Sequence, residues 1–185
     1  MLIHMKTFPF LQLLAMVCCG GLISCADQHN AIKGPAAATR QADVSASAQI
    51  FQAVNAYRRS IGAADLQRHA GLDHIAQQHC EYLREHRGTF EINGKNVSHI
   101  GFEGRALYAR NVYHMGNLAE NVVAANHATN NPGPAAVALW KNSKSHHQTM
   151  IDSWPLSGVG AVVDGDGTVF AVQLFGVVNA SRNRF

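Results

Sequence analysis

The chain has 185 residues, of which 47% are hydrophobic and only 15% charged, with a formal charge of +3 at neutral pH. This length fits one domain plus an extension, and the apolar share is enough for a real core. The positive charge is small and scattered, with no run of Lys or Arg, so no nucleic-acid partner is expected.

Residues 1–25 read MLIHMKTFPFLQLLAMVCCGGLISC. Lys6 precedes a mostly apolar run from Phe8 to Ile23, interrupted by Pro9 and Gln12 and short for a membrane span, which is the layout of a secretory signal. Its end, Leu22 to Cys25, resembles the lipobox of bacterial lipoproteins, in which the cysteine is lipidated and becomes the first mature residue. An ordinary cleaved signal is the alternative. The lipobox implies a membrane partner reached through an anchor on Cys25, since several acyl chains on one cysteine hold a protein firmly. Ala26 supplies no inner-membrane retention cue, which points to the bacterial cell envelope at the periplasmic face of the outer membrane. With Cys18 and Cys19 removed and Cys25 acylated, only Cys80 remains, so the mature domain has no internal disulfide and stands on its core.

Residues 26–47 lack periodicity, are rich in Ala, and read as a flexible linker reaching roughly 25 Å. A folded domain is expected over 48–178, with a short tail at 179–185. Its first helix starts at Ala48, where Ile50, Phe51, Val54 and Tyr57 recur at helical spacing, and Gly62 stops it. A second helix runs from about Ala70 to His86, with Leu72, Ile75, Ala76, Cys80 and Leu83 as its apolar stripe. Residues 89–114 read as irregular. A strand is expected around Leu118 to Ala125, then a loop, then a third helix starting near Pro134. The tail SGVGAVVDGDGTVFAVQLFG reads as a β-hairpin turning at Asp164 to Gly167; the acidic residues there are too few and wrongly spaced for a calcium loop. Helices gathered before a few antiparallel strands define the α+β class.

The predicted strand poses a physical question. Glu120 lies on the same alternating face as Leu118 and Val122, the face expected to be buried. A buried carboxylate is costly unless paired or hydrogen-bonded, so some other part of the chain must meet it. Among the 11 histidines, His69, His74, His79 and His86 lie on or near the second helix, share no ligand face and are expected to be solvated. His114 and His127 fall in or near loops. Trp140 reads as core.

Several pieces together, in this order, resemble the CAP superfamily, also called the SCP domain, which includes cysteine-rich secretory proteins, antigen 5 and plant pathogenesis-related proteins. VNAYRRSIGAADL is similar to the family's first helix, with Asn55, Arg58, Gly62 and Leu66 in register. SHIGFEGRALYAR resembles the bacterial pattern of a His, two Gly and a later Arg, here His99, Gly101, Gly104 and Arg110. LAEN stands where the family has Gly-Glu-Asn, with Ala119 replacing the Gly. LWKNSKSHHQTMI supplies Trp140, Ser143 and His146 at the family spacing, and the hairpin closes the domain.

The resemblance implies a three-layer α-β-α sandwich around a small antiparallel sheet, with His99, Glu120 and His146 converging in a central cleft. This answers Glu120, because a carboxylate beside imidazoles fixes a tautomer or stabilises an imidazolium. The trio also suits Zn2+ or another divalent cation, without requiring one. A second family Glu is replaced by Ser143, so the ligand set is incomplete. His146, rather than its neighbour His147, matches the spacing from Trp140. Asn121 is expected to brace the cleft through backbone hydrogen bonds, and Arg110 to donate to loop carbonyls. A non-enzymatic module binding a lipid or small apolar molecule, a cell-wall fragment or a protein is the first functional reading. A metal-dependent or acid–base hydrolase of peptide or peptidoglycan is the second, although no nucleophile motif is present and Ser98 beside His99 makes no triad. A purely structural envelope protein is the third.

Overall fold

In the computed structural model, which describes residues 35–90, 92 and 98–179, β-structure is confined to one small sheet with helices on both sides. In chain order the elements are helix α1 (Pro35–Ser60), strand β1 (Gln67–Arg68), helix α2 (Ala70–Glu85), a 3-10 turn (Arg87–Thr89), helix α3 (Phe102–Tyr113), strand β2 (Met115–Ala125), helices α4 (Pro132–Lys141) and α5 (Lys144–Ile151), and strands β3 (Leu156–Val163) and β4 (Val169–Val178). The sheet order is β1-β3-β4-β2; β1 runs parallel to β3 and the other pairs are antiparallel. Among the described residues no helix is long and apolar enough to cross a membrane. The leader, Cys25 and the tail from residue 180 lie outside the described residues.

The two-residue period of β2, β3 and β4 sorts side chains onto two cores. Val122, Ala124, Val162, Phe170, Val172 and Leu174 pack against Leu72, Ile75, Ala76, Cys80 and Leu83 of α2 and Ala109 of α3. Val123, Val159, Ala161, Ala171 and Phe175 face α1, α4 and α5, meeting Ile50, Val54, Trp140 and Met150. β4 lies between two strands and is buried on both faces over most of its length, hence its nearly unbroken apolar sequence.

β3 lets a helix approach unusually closely. A methyl at Gly158 would meet the backbone of Leu72 and Asp73 at 2.3 Å, and one at Gly160 would meet Gln77 N at 2.3 Å. With α2 seated on the strand, its side chains reach the strand's outward N–H groups. Val159 N–H donates to Asp73 Oδ1 (2.8 Å), and Ala161 N–H donates to Gln77 Oε1 (3.1 Å). Four helical residues rise about 6.0 Å and two strand residues about 6.6 Å, so an i, i+4 pair on α2 matches alternate N–H groups of β3. The next N–H, Val163, donates to Asp43 Oδ1 of α1 (2.8 Å). The exposed edge of the sheet is thereby closed by side chains.

Three expectations are corrected. The linker reading fails for residues 35–47, which are helical: Ala46 and Ser47 are buried, Asp43 caps β3, and Ser47 Oγ accepts from Arg68. Alanine favours helix without leaving an apolar stripe, so periodicity missed it. Residues 102–113 are helical rather than irregular. In α3 only Ala109 is buried while Leu107, Tyr108 and Val112 are exposed, so the helix carries no inward stripe to read. The third predicted helix is two: α4 starts at Pro132 and ends at Lys141, and α5 begins after Ser143.

Candidate functional site

The site is assembled at β2, the edge strand opposite β1. Glu120 points to the α2–α3 side of the sheet, and its side chain is only 1% exposed. Arg105 of α3 meets it as a two-pronged fork, Nε donating to Oε2 at 2.8 Å and Nη2 to Oε1 at 2.8 Å. His99, just before α3, donates from Nδ1 to Oε1 at 2.9 Å. Burial pushes the Glu120 carboxyl up, but the hydrogen bonds from His99 and Arg105 and the guanidinium charge outweigh it. The group is held below its ordinary value.

Arg105 is itself fixed. Its Nη1 donates to Ile100 O (2.8 Å) and to His79 Nδ1 (3.2 Å), and Nη2 also reaches His99 O (3.5 Å). His79 Nε2 donates to Ser98 O at 2.9 Å. Burial, helped by the neighbouring guanidinium, pulls the His79 pKa down, which favours the neutral ring these two bonds require. Gly101 starts α3 with φ of 76°, in the left-handed region, and a Cβ there would stand 3.3 Å from Arg105 Nη1. Glycine therefore both makes the turn and leaves room for the arginine.

His146 arrives from the other helical layer. Its Nε2 stands 3.3 Å from His99 Nε2. Asn121, adjacent to Glu120 but on the opposite sheet face, donates from Nδ2 to His146 O at 2.9 Å and holds the first turn of α5. Arg58, only 1% exposed, holds the far end of α5 by donating to Met150 O and Asp152 O at 2.8 Å each. Trp140 Nε1 donates to Val122 O (3.2 Å) and ties α4 to β2. His146 is pulled below its ordinary pKa by burial and by His99, so its ring is neutral near pH 7.

The structure thus brings His99, Glu120 and His146 together, with Asn121 behind His146. His147 faces elsewhere: its Nε2 is 2.8 Å from Tyr57 OH, and Lys141 Nζ lies 4.6 Å from the centre of the Tyr57 ring. Arg110 is exposed, and the donation to loop carbonyls expected of it is made instead by Arg105, to Ile100 O and His99 O. His79 was expected in solvent and is buried.

The metal trio is also corrected. Among the described residues no three His, Cys, Asp or Glu side chains are placed to hold one ion. Glu120 binds the opposite nitrogen of His99 from the one facing His146, and both its oxygens are engaged, so it is a support and not a ligand. What remains is a pair of imidazole nitrogens. Two nitrogens bound tetrahedrally at 2.0–2.1 Å from zinc lie about 3.3 Å apart, the separation found here. Such a histidine ordinarily gives its second N–H to a carboxylate, as His99 does to Glu120. The same 3.3 Å is the length of a hydrogen bond between the two rings, so the pair has the spacing for a divalent ion held by two nitrogens but supplies only two of its ligands.

Two helical layers around a four-stranded sheet, with a histidine–carboxylate set at one sheet edge, define an α+β sandwich domain of the kind the sequence resembles. The sequence pattern of the cysteine-rich secretory protein family, CAP, matches residues 51–175, and the chain belongs to that family. The fold is similar to an outer surface protein from Borrelia burgdorferi, with TM-score 0.56 and 17% identity over 73% of this chain and 94% of that one. It is also similar to a cysteine-rich secretory protein from Staphylococcus aureus (TM-score 0.53, 18% identity, 72% of this chain and 38% of that one). An extracellular SCP-domain protein from Bacillus anthracis gives TM-score 0.55 and 21% identity, over 77% of this chain and 43% of that one. At these identities the likeness is one of fold, and this chain spans about two-fifths of the latter two proteins. A search of curated proteins gave no match.

Proposed function

We propose that this is an extracytoplasmic, lipid-anchored CAP-domain protein whose cleft binds a ligand without turning it over. One observation carries the choice of binding over catalysis: the saturation of Glu120. A general base works best with a pKa near the operating pH and a free lone pair aimed at its proton. Glu120 is held below its ordinary value, is forked by Arg105 and accepts from His99. Its geometry orients His99 and leaves the Nε2 atoms of His99 and His146 as the reactive face of the cleft. A divalent ion held there supplies a positive centre and open coordination sites for oxygen or nitrogen donors of a ligand. A lipid headgroup, a cell-wall fragment and a protein carboxylate all present such donors.

The leader sequence and the Cys25 lipobox support the anchor, and the Borrelia and Bacillus neighbours, described as outer-surface and extracellular, are in keeping with it. Cys25 and the first residue of α1, Pro35, are ten positions apart. Ten residues span at most about 35 Å, which sets an upper limit on the reach of a tether from such an anchor.

Calorimetric titration of zinc into the purified protein lacking its leader tests this reading. One zinc per chain is expected, lost in His99→Ala and in His146→Ala, and weakened about 10–100-fold in Glu120→Gln, which keeps the shape and removes the charge. Absence of heat from the parent protein removes the metal. Peptide or peptidoglycan hydrolysis that disappears in Glu120→Gln establishes the hydrolase reading in its place.

A further inference from the structure

Beside the histidine pair, on the other side of Arg105, lies a cavity of about 340 Å3 between α2 and the segment leading into α3. His79 and Arg105 form its polar wall, and neither offers a free hydrogen-bonding atom. His79 uses one nitrogen toward Arg105 and the other toward Ser98 O. Arg105 distributes its five N–H groups over Glu120, His79, Ile100 O and His99 O. Its charge is met by the Glu120 carboxylate. An anion entering the cavity finds no charged donor free to replace its water, only the neutral Gln78 amide and Tyr82 hydroxyl, and a cation faces a guanidinium, so either gives up more hydration than it recovers.

The remaining surface is apolar, with two uncharged polar ends. Ile75 and the Tyr82 ring line the α2 side, and Ile100 stands at the rim, 58% exposed despite its aliphatic side chain. Gln78 and Tyr82 are four residues apart on α2 and both line the cavity. The Gln78 amide and the Tyr82 hydroxyl have no hydrogen-bond partner among the described residues. The volume is at the lower end of the range for small-molecule pockets, roughly 300–1,000 Å3, which suits a compact ring system and not an extended chain.

We propose that this cavity binds a compact, uncharged, amphipathic molecule: an apolar ring body against Ile75, Tyr82 and Ile100, with one hydroxyl or amide met by Gln78. The site goes beyond the metal-centred reading, because none of its atoms is a metal ligand. It shares Arg105 with the histidine pair as a common wall.

The test uses three probes of one shape: 2-naphthol (neutral with a hydroxyl), 2-naphthoate (anionic) and naphthalene (no polar group). Each is titrated into the leader-less protein in EDTA and followed by amide NMR shifts. 2-Naphthol is expected to shift residues 75–82 and 98–105 and to saturate. 2-Naphthoate is expected to bind about ten-fold or more weakly than 2-naphthol, for want of a free charged donor to offset the desolvation of its carboxylate. Gln78→Ala, an exposed substitution favourable in a helix, is expected to weaken 2-naphthol about 2–10-fold, the loss of one net hydrogen bond, while leaving naphthalene unchanged. His146→Ala is expected to leave all three titrations as they are. The proposal is overturned by 2-naphthoate binding as tightly as 2-naphthol, by shifts elsewhere or no saturation, by indifference to Gln78→Ala, or by dependence on His146. A negative zinc titration removes the metal reading and leaves these results unaffected.

Discussion

Replacing Arg105 by Met separates a buried carboxylate from its cation while keeping the length of the side chain. The Glu120 side chain is 1% and that of Arg105 13% exposed, so water does not take the guanidinium's place. Removing one partner of a buried ion pair costs about 3–5 kcal/mol, most of it the uncompensated charge left behind. For a domain of this size that is a fall in Tm of roughly 6–20 °C. In the parent protein Glu120 sits below its ordinary pKa, so its stabilisation is complete above about 4.3, the unfolded value. It is lost as the pH falls through the lower folded value. In Arg105→Met burial dominates and raises the carboxyl. Glu120 is then better tolerated when protonated, and the gap between the two proteins narrows on acidification. Urea denaturation from pH 7 to 3.5 measures this. Arg105→Lys, which keeps the charge but not the fork, should fall between them, and adding Glu120→Gln to Arg105→Met should restore much of the loss at pH 7. A deficit below about 1 kcal/mol at pH 7, or one independent of pH, refutes the account of Glu120 as a charge held by Arg105.

Gly160→Ala places a methyl where Gln77 N stands 2.3 Å away. It should cost about 1–3 kcal/mol or more as α2 is pushed from β3, seen as a lower urea midpoint with unchanged slope. Asp43→Ala orphans the Val163 N–H at the sheet edge. It should destabilise by about 1–3 kcal/mol and speed amide exchange at Val163, whereas an effect near zero would restore the linker reading. Cys80 is fully buried and burial pushes its thiol well up. It should react with a thiol reagent only under denaturing conditions, and prompt labelling of the native protein would contradict the α2 packing.

What was legible in the sequence divides along the lines of local periodicity. The closing hairpin and the stripe of α2 are written in two- and 3.6-residue repeats, and both are found in place. His79 was legible too: it continues the row Leu72, Ile75, Ala76 and Cys80, and its position on that buried row outweighs the general habit of histidine to sit in water. The first thirteen residues of α1 were hidden because a polar, alanine-rich helix held by Asp43 and Ser47 has no apolar row to display. Arg105 was hidden for a different reason. Its role depends on α3 being a helix, and α3 turns its aliphatic residues outward, so nothing marked which arginine of the segment faces the sheet. The opening anomaly did carry the information in general form. A carboxylate on a buried strand face needs a partner; the sequence pointed to two imidazoles, and the structure supplies one of them, His99, together with the guanidinium of Arg105.

That distinction changes what the cleft can do. Had Glu120 faced two imidazoles alone, it would have been a third ligand or a base. Forked by Arg105, it becomes a fixed negative charge that sets the tautomer of His99 through Nδ1 and leaves Nε2 to face His146. The placement of the parts fits this division of labour. Arg105 and Glu120 lie on the α2–α3 side, where their own polar atoms are answered within the protein. His146 is carried by α5 from the opposite layer, braced by Asn121 at one end and Arg58 at the other. Moving α5 changes the spacing of the two Nε2 atoms without disturbing the ion pair. Asn121→Ala should therefore weaken zinc binding while leaving the pH dependence attributed to Glu120 intact, and Arg105→Met should alter both. If Asn121→Ala instead shifts the acid limb of stability as Arg105→Met does, the two halves of the site are one network, and the separation drawn here between a charge that orients and a helix that positions is wrong.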